Sequence, residues 1–172
     1  MDSDRRREEI LKVIQGRTQP IKGTQLAKLF NVSRQVIVQD IAILRATGEN
    51  ILATPQGYIF PFSATPPTLK RTIPCQHKAD EIFQELSIIV DMGGKVLDVI
   101  VDHPVYGEIK ANLMISSRKE LNDFIHTFER LQAEPLSSLT EGTHLHNIEV
   151  PNEEVYREIL NRLKEKGFLV EE

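Results

Sequence analysis

The sequence predicts an α+β protein in two parts. Residues 1–62 read as a winged helix-turn-helix domain, 63–71 as linker and entry strand, and 72–172 as a two-layer α/β sandwich. Three observations predict this. Residues 23–48, GTQLAKLFNVSRQVIVQDIAILRATG, read as two short helices joined by a tight turn. Two short apolar runs around Pro55-Gln56-Gly57 follow at once, which is a hairpin placed where a wing belongs. Beyond the Pro/Ser/Thr-rich stretch 61–70, runs of period 2 and period 3.6 succeed one another to the C-terminus, the pattern of a mostly antiparallel sheet covered by helices.

In chain order, Asp4 to Gln15 forms an amphipathic helix with Ile10, Leu11 and Ile14 inward and Arg5, Arg6 and Arg7 at an exposed start that could meet a DNA backbone. Gly16 to Pro20 is a connector, Ile21 adds a short strand, and Thr24 is the expected cap of the next helix. Leu26, Ala27 and Phe30 share one face there, Ala27 being small where two helices cross. Asn31 suits a left-handed turn and Ser33 an N-cap, and Gly48 ends the second helix. If Ile37, Ile41 and Leu44 point inward, then Arg34, Gln35, Val38, Gln39 and Arg45 point away. Arg and Gln read guanine and adenine edges in the major groove, and a Ser at a helix start can touch phosphate. The predicted DNA contacts are therefore Ser33, Arg34, Gln35, Gln39 and Arg45. An ordinary helical hairpin with a polar face would share the pattern.

In the second part, Arg71 to Gln76 reads as a strand, Ala79 to Asp91 as a helix and Gly93-Gly94 as a turn. Lys95 to His103 alternates Val96, Asp98, Ile100 and Asp102 against Leu97, Val99 and Val101, with Tyr106 to Ile115 as hairpin partner. Ser117 caps a helix through Gln132 with Leu121, Phe124, Ile125, Phe128 and Leu131 inward. Thr143 to Val150 is a strand, Asn152 to Lys166 a helix and Phe168 to Val170 a last short strand.

Composition narrows the function classes. Over 172 residues the net charge is −4, but residues 1–60 carry nine Lys/Arg against six Asp/Glu and residues 61–172 twelve against nineteen. A mildly basic front and an acidic back fit a nucleic-acid-binding head joined to a partner domain of another kind. No apolar run is long enough for a membrane helix and the N-terminus lacks a signal-peptide core, so a cytoplasmic protein is expected. The single Cys75 excludes an internal disulfide and a cysteine-based zinc finger. No phosphate-binding loop, dinucleotide fingerprint or nucleophile elbow occurs.

All five histidines lie in the second part. His144 and His146 are i and i+2 on a strand and so project to one face, a natural chelate for a divalent ion, although such pairs also occur as hydrogen-bonded or surface residues. His77 precedes a helix carrying Glu81 and Glu85, and a third imidazole with a carboxylate from this element could complete a zinc or nickel site. His103 opens HPVYGE at a hairpin tip, where Tyr106 could join it in lining a pocket or the segment could be only a turn. His126 falls on a solvated helix surface.

The front segment TQLAKLFNVSRQVIVQDIAILR resembles the winged helix of biotin-operon-type repressors. HKADEI, DHPVYGEI, the Lys/Glu-bearing helix after Ser116-Ser117 and GTHLHNIE resemble the three-histidine (3H) domain joined to such a head in niacin-responsive repressors of bacterial NAD metabolism. The resemblance spans essentially the whole chain. It implies a homodimeric repressor that binds double-stranded operator DNA, holds a divalent transition metal (nickel or zinc) and takes nicotinic acid as corepressor. It implies His77, His144 and His146 as ligands, with Glu85 the chosen carboxylate and Glu81 its alternative. His103 and Tyr106 become candidates for the effector pocket. Three rivals stand beside it: a repressor that senses the metal itself, a metal-dependent hydrolase acting on a pyridine compound, and a protein–protein interaction module with a purely structural metal.

Overall fold

A computed structural model describes residues 2–61 and 68–171. The chain forms two compact units, Met1–Thr65 and Pro66–Glu172. Residues 62–67 of the expected linker lie outside the described residues.

The first unit opens with α1 (Ser3–Gln15), capped by Asp2, whose side chain accepts from the Arg5 N–H. Ile10 and Ile14, one turn apart, are its buried pair. α2 (Gly23–Phe30) starts one residue before Thr24, and its N-cap is Lys22, whose N–H donates to Gln25 Oε1 at 2.9 Å. Thr24 is therefore not the cap, because the Gln25 side chain folds back one turn to meet the backbone instead. Asn31 takes the left-handed conformation (φ 53°, ψ 48°), and Ser33 caps α3 (Arg34–Ala46) by accepting from the Val36 N–H. Ile10, Ile14, Ile21, Leu26, Ile37, Ile41, Leu44 and Ile51 form the core. Each buried aliphatic side chain of this size contributes roughly 1.5–3 kcal/mol. β1 (Leu52–Thr54) and β2 (Gly57–Ile59) pair antiparallel, and Ile21 bridges Tyr58 from β2's other side, so the wing is tied to the segment before α2.

α1 is locked to α3 by charge. Arg6 Nε donates to Asp40 Oδ2 at 2.7 Å, and Asp40 is a buried carboxylate on the inner face of α3. Arg7 pairs with Asp4 and lies 3.5 Å from Asp40. Of the three arginines expected at the DNA backbone, Arg6 and Arg7 are paired with carboxylates within the unit and Arg5 is exposed.

The second unit is a four-stranded antiparallel sheet of order β3-β6-β4-β5, built from β3 (Leu69–Gln76), β4 (Lys95–His103), β5 (Gly107–Ile115) and β6 (Thr143–Val150). Helices α4 (Ile82–Asp91), α5 (Arg118–Leu131) and α6 (Glu153–Glu165) pack on it, with Leu86, Ile89, Leu121, Ile159 and Leu163 meeting Ile73, Val96 and Ile148. Ser117 and Asn152 cap α5 and α6.

Several details differ from expectation. β3 begins at Leu69, inside the expected linker. A 3-10 turn, Ala79–Glu81, precedes α4, and another, Leu136–Thr140, precedes β6. The expected final strand is a single bridge, Cys75 to Leu169. Leu131, the last residue of α5, is exposed and does not face inward. The alternation of β4 breaks: Val96 pairs with Ile148 but Ile100 with Leu145, so β4 holds one extra residue. The bulge changes the strand's phase, and Val96, Asp98 and Val101 are the buried ones.

Candidate functional site

On β6 the even-numbered residues His144, His146, Ile148 and Val150 are buried and face the helices, as an i, i+2 spacing requires. β3 lies alongside in full register, pairing Cys75 with His144 and Ile73 with His146. His77 follows the end of β3, its ring 5.2 Å from that of Phe168. Glu85 comes from the inner face of α4 and is 1% exposed.

These elements bring three imidazoles around one carboxylate. His77 Nε2 contacts Glu85 Oε2, while His144 Nε2 and His146 Nε2 lie 3.0 and 3.2 Å from Oε1. Each ring's other nitrogen is held by a backbone carbonyl. His77 Nδ1 meets Lys78 O at 2.8 Å, His144 Nδ1 meets Gly142 O at 2.8 Å, and His146 Nδ1 meets Asp98 O at 2.6 Å. A carbonyl only accepts, so every Nδ1 carries the proton and a neutral ring presents its Nε2 lone pair to Glu85. Lone pairs facing carboxylate oxygens need a cation between them, either protons on the rings or a metal ion. Orientation of ligating histidines by Nδ1–H bonds is the usual support of such sites. The donor set therefore fits a divalent transition ion.

The electrostatics agree. Burial works against charge on His146 and His77, but the Glu85 carboxylate outweighs it and raises both. Burial also opposes charge on Glu85, yet the three imidazoles hold it well below the usual carboxylate range.

Of the two candidate carboxylates, Glu85 reaches the histidines, whereas Glu81 accepts from the Lys78 N–H at 2.8 Å. His103 and Tyr106 sit at the β4–β5 hairpin, where His103 Nδ1 accepts from the N–H groups of Val105 and Tyr106. Tyr106 is exposed, and neither residue lines the cavity of about 660 Å³ that opens beside His77. That cavity is walled by Lys78, Ser137, Ser138, Glu141 and Lys166. His126 is solvated, as expected.

Two contributors escaped the sequence reading. Asp98 sits at the β4 bulge, where its carbonyl holds His146 and its carboxylate accepts from Asn147 N and Nδ2 and pairs with Lys110. Cys75 is the other: its sulfur, a Glu85 oxygen and a His144 nitrogen all lie within 4.8 Å of one another. The spacing Cys75-x-His77, matching His144-x-His146 on the neighbouring strand, was the available signal.

In the first unit, Arg34, Gln35, Gln39 and Arg45 are exposed on α3, together with Val38. Among the described residues Arg34, Gln35 and Gln39 form no side-chain hydrogen bond. Arg45 Nε donates to Ile51 O at 2.8 Å and so also ties the helix end to the wing's approach. Ser33 is exposed, with its hydroxyl engaged as the cap.

Comparison with known proteins accords with both units. Residues 6–59 match the model of an HTH domain, and residues 70–172 match that of the 3H domain. The chain is 45% identical over 167 residues to the probable transcription repressor NiaR of Thermotoga maritima, covering 97% of this chain and 94% of that protein. It is 40% identical over 169 residues to the transcription repressor NadR of Bacillus subtilis, with the same coverage of each chain. These relatives are regulators, which sets the hydrolase rival aside. With a DNA-binding head and a histidine-lined second domain, the chain belongs to the 3H-domain family of helix-turn-helix transcription repressors.

Proposed function

We propose that this chain is a cytoplasmic, homodimeric repressor of NAD-biosynthesis or niacin-uptake genes, with a metal-containing second domain that responds to nicotinic acid as corepressor. The observation that carries the metal part is the convergence of three carbonyl-tethered imidazoles on buried Glu85. His77, Glu85, His144 and His146 would hold nickel or zinc, which supplies a Lewis-acid centre when bound. The cavity beside His77 is one candidate effector site, and the β4–β5 hairpin bearing His103 and Tyr106 is the other. Nicotinate is a planar anion, and Lys78 and Lys166 with the hydroxyls of Ser137 and Ser138 offer it cationic and hydrogen-bonding partners.

In the head, Arg34, Gln35 and Gln39 would read bases, Arg45 would share a backbone contact, and Ser33 would present the N-terminus of α3 to phosphate. Two such heads in a homodimer match a palindromic operator because protein and DNA share a two-fold axis. Nicotinic acid would act by favouring the head arrangement that fits the operator.

The test is binding of metal-loaded protein to its own upstream intergenic DNA, with and without nicotinic acid. Salt is held fixed because phosphate contacts make affinity salt-dependent. Tighter, sequence-selective binding with the ligand is the expected result. Specific binding governed by metal alone would make the ion the signal. The absence of specific binding in every state would overturn the repressor reading.

A further inference from the structure

Cys75 is fully buried on the helix-facing side of β3, directly opposite His144 across the strand pair. Buried cysteines usually behave as small hydrophobes among aliphatic neighbours. This one belongs to the aliphatic core of the second unit and also borders polar groups. Its sulfur, a Glu85 oxygen and a His144 nitrogen lie within 4.8 Å of one another. Bonds of about 2.0–2.3 Å around a zinc-like ion put neighbouring ligand atoms roughly 3–4 Å apart, so sulfur, oxygen and nitrogen fall within reach of one centre.

We propose that Cys75 is a thiolate ligand of the ion held by Glu85 and the histidines, which makes the site a mixed N/O/S centre. The inference rests on the metal reading above and adds sulfur to it. On coordination the S–H bond breaks, the sulfur lone pair forms the metal–sulfur bond and the proton leaves to solvent. A thiolate changes which ions are held. It favours zinc, cobalt and cadmium over manganese and magnesium, which prefer oxygen.

Cobalt(II) separates this inference from the reading it rests on. Metal-free full-length protein is titrated with cobalt while two absorptions are followed. Visible ligand-field bands report cobalt in the protein, and a near-ultraviolet sulfur-to-cobalt charge-transfer band reports the thiolate. The expected result is both bands in the unaltered protein. Cys75→Ser should then lose the near-ultraviolet band, keep the visible bands and bind cadmium at least tenfold more weakly. Ligand-field bands without charge transfer in the unaltered protein would overturn the Cys75 assignment and leave the metal reading standing. If equilibrium dialysis finds no cobalt bound, the metal reading fails and the assignment with it. The decisive spectrum needs no variant, so a folding defect in Cys75→Ser does not blunt the test.

Discussion

Gly142→Ala should weaken the second domain and its histidine cluster together. Gly142 has φ +91°, and a Cβ built there would lie 2.4 Å from His77 O. Its own carbonyl takes His144 Nδ1 at 2.8 Å, so the residue touches the backbone of one histidine and the ring of another. A left-handed backbone costs an L-residue roughly 1–2 kcal/mol. Moving a packed backbone carbonyl adds about 1–3 kcal/mol, as overpacking does elsewhere. The sum, about 2–5 kcal/mol, is a large share of the 5–15 kcal/mol typical of a domain. At about 4–8 °C per kcal/mol for a domain of this size, the melting transition should fall by ~10 °C or more. Gly107→Ala is the control, because φ is +72° there but nothing lies within 4 Å of the added Cβ. It carries the backbone cost without the collision. Thermal unfolding of both metal-free variants, followed by metal titration, checks the reasoning. If the two variants melt together, the close approach of Gly142 to His77 is not a determinant of this site.

Glu85→Gln should lower metal affinity at least tenfold by calorimetric titration, since it removes the anionic member of the donor set. Metal-free protein should melt highest in mild acid. Glu85 raises His77 and His146 above the ordinary 6.5, so their contribution is complete below that value and fades as pH rises. Glu85 itself lies below the ordinary 4.5, so its contribution is present above that value and disappears in acid. A melting temperature that does not fall between mildly acid and alkaline pH would refute this coupling. Gln39→Ala should weaken operator binding by about 1–3 kcal/mol, from fivefold to beyond a hundredfold, in fluorescence anisotropy at fixed salt. An unchanged affinity would remove it as a base reader. Asp40→Ala should lower the head's melting transition by several degrees, because it strips the partner from Arg6 on the opposing helix. Unchanged melting would show that the pair is incidental.

Local periodicity determined much of this protein. The i, i+4, i+7 placement of Ile37, Ile41 and Leu44 dictates which face of α3 is buried, and hence which residues are left exposed. Asn31 and Ser33 encode the turn between α2 and α3 in their own side chains. The two-residue period of a strand puts His144 and His146 on one side wherever β6 lies. Tertiary structure decided the rest. Glu81 and Glu85 are one turn apart, and only the docking of α4 behind a 3-10 turn chooses Glu85 for the histidines. Asp98 reaches its post through a bulge that arises from pairing with two other strands, which no single strand's pattern contains. Asp40 is buried on α3, and its partner Arg6 comes from α1, far away in the chain. Cys75 meets Glu85 and His144 only because β3 and β6, far apart in the chain, pair in register. Local propensity belongs to neighbouring residues, whereas the chemistry of this site belongs to groups that the packing of distant elements brings together.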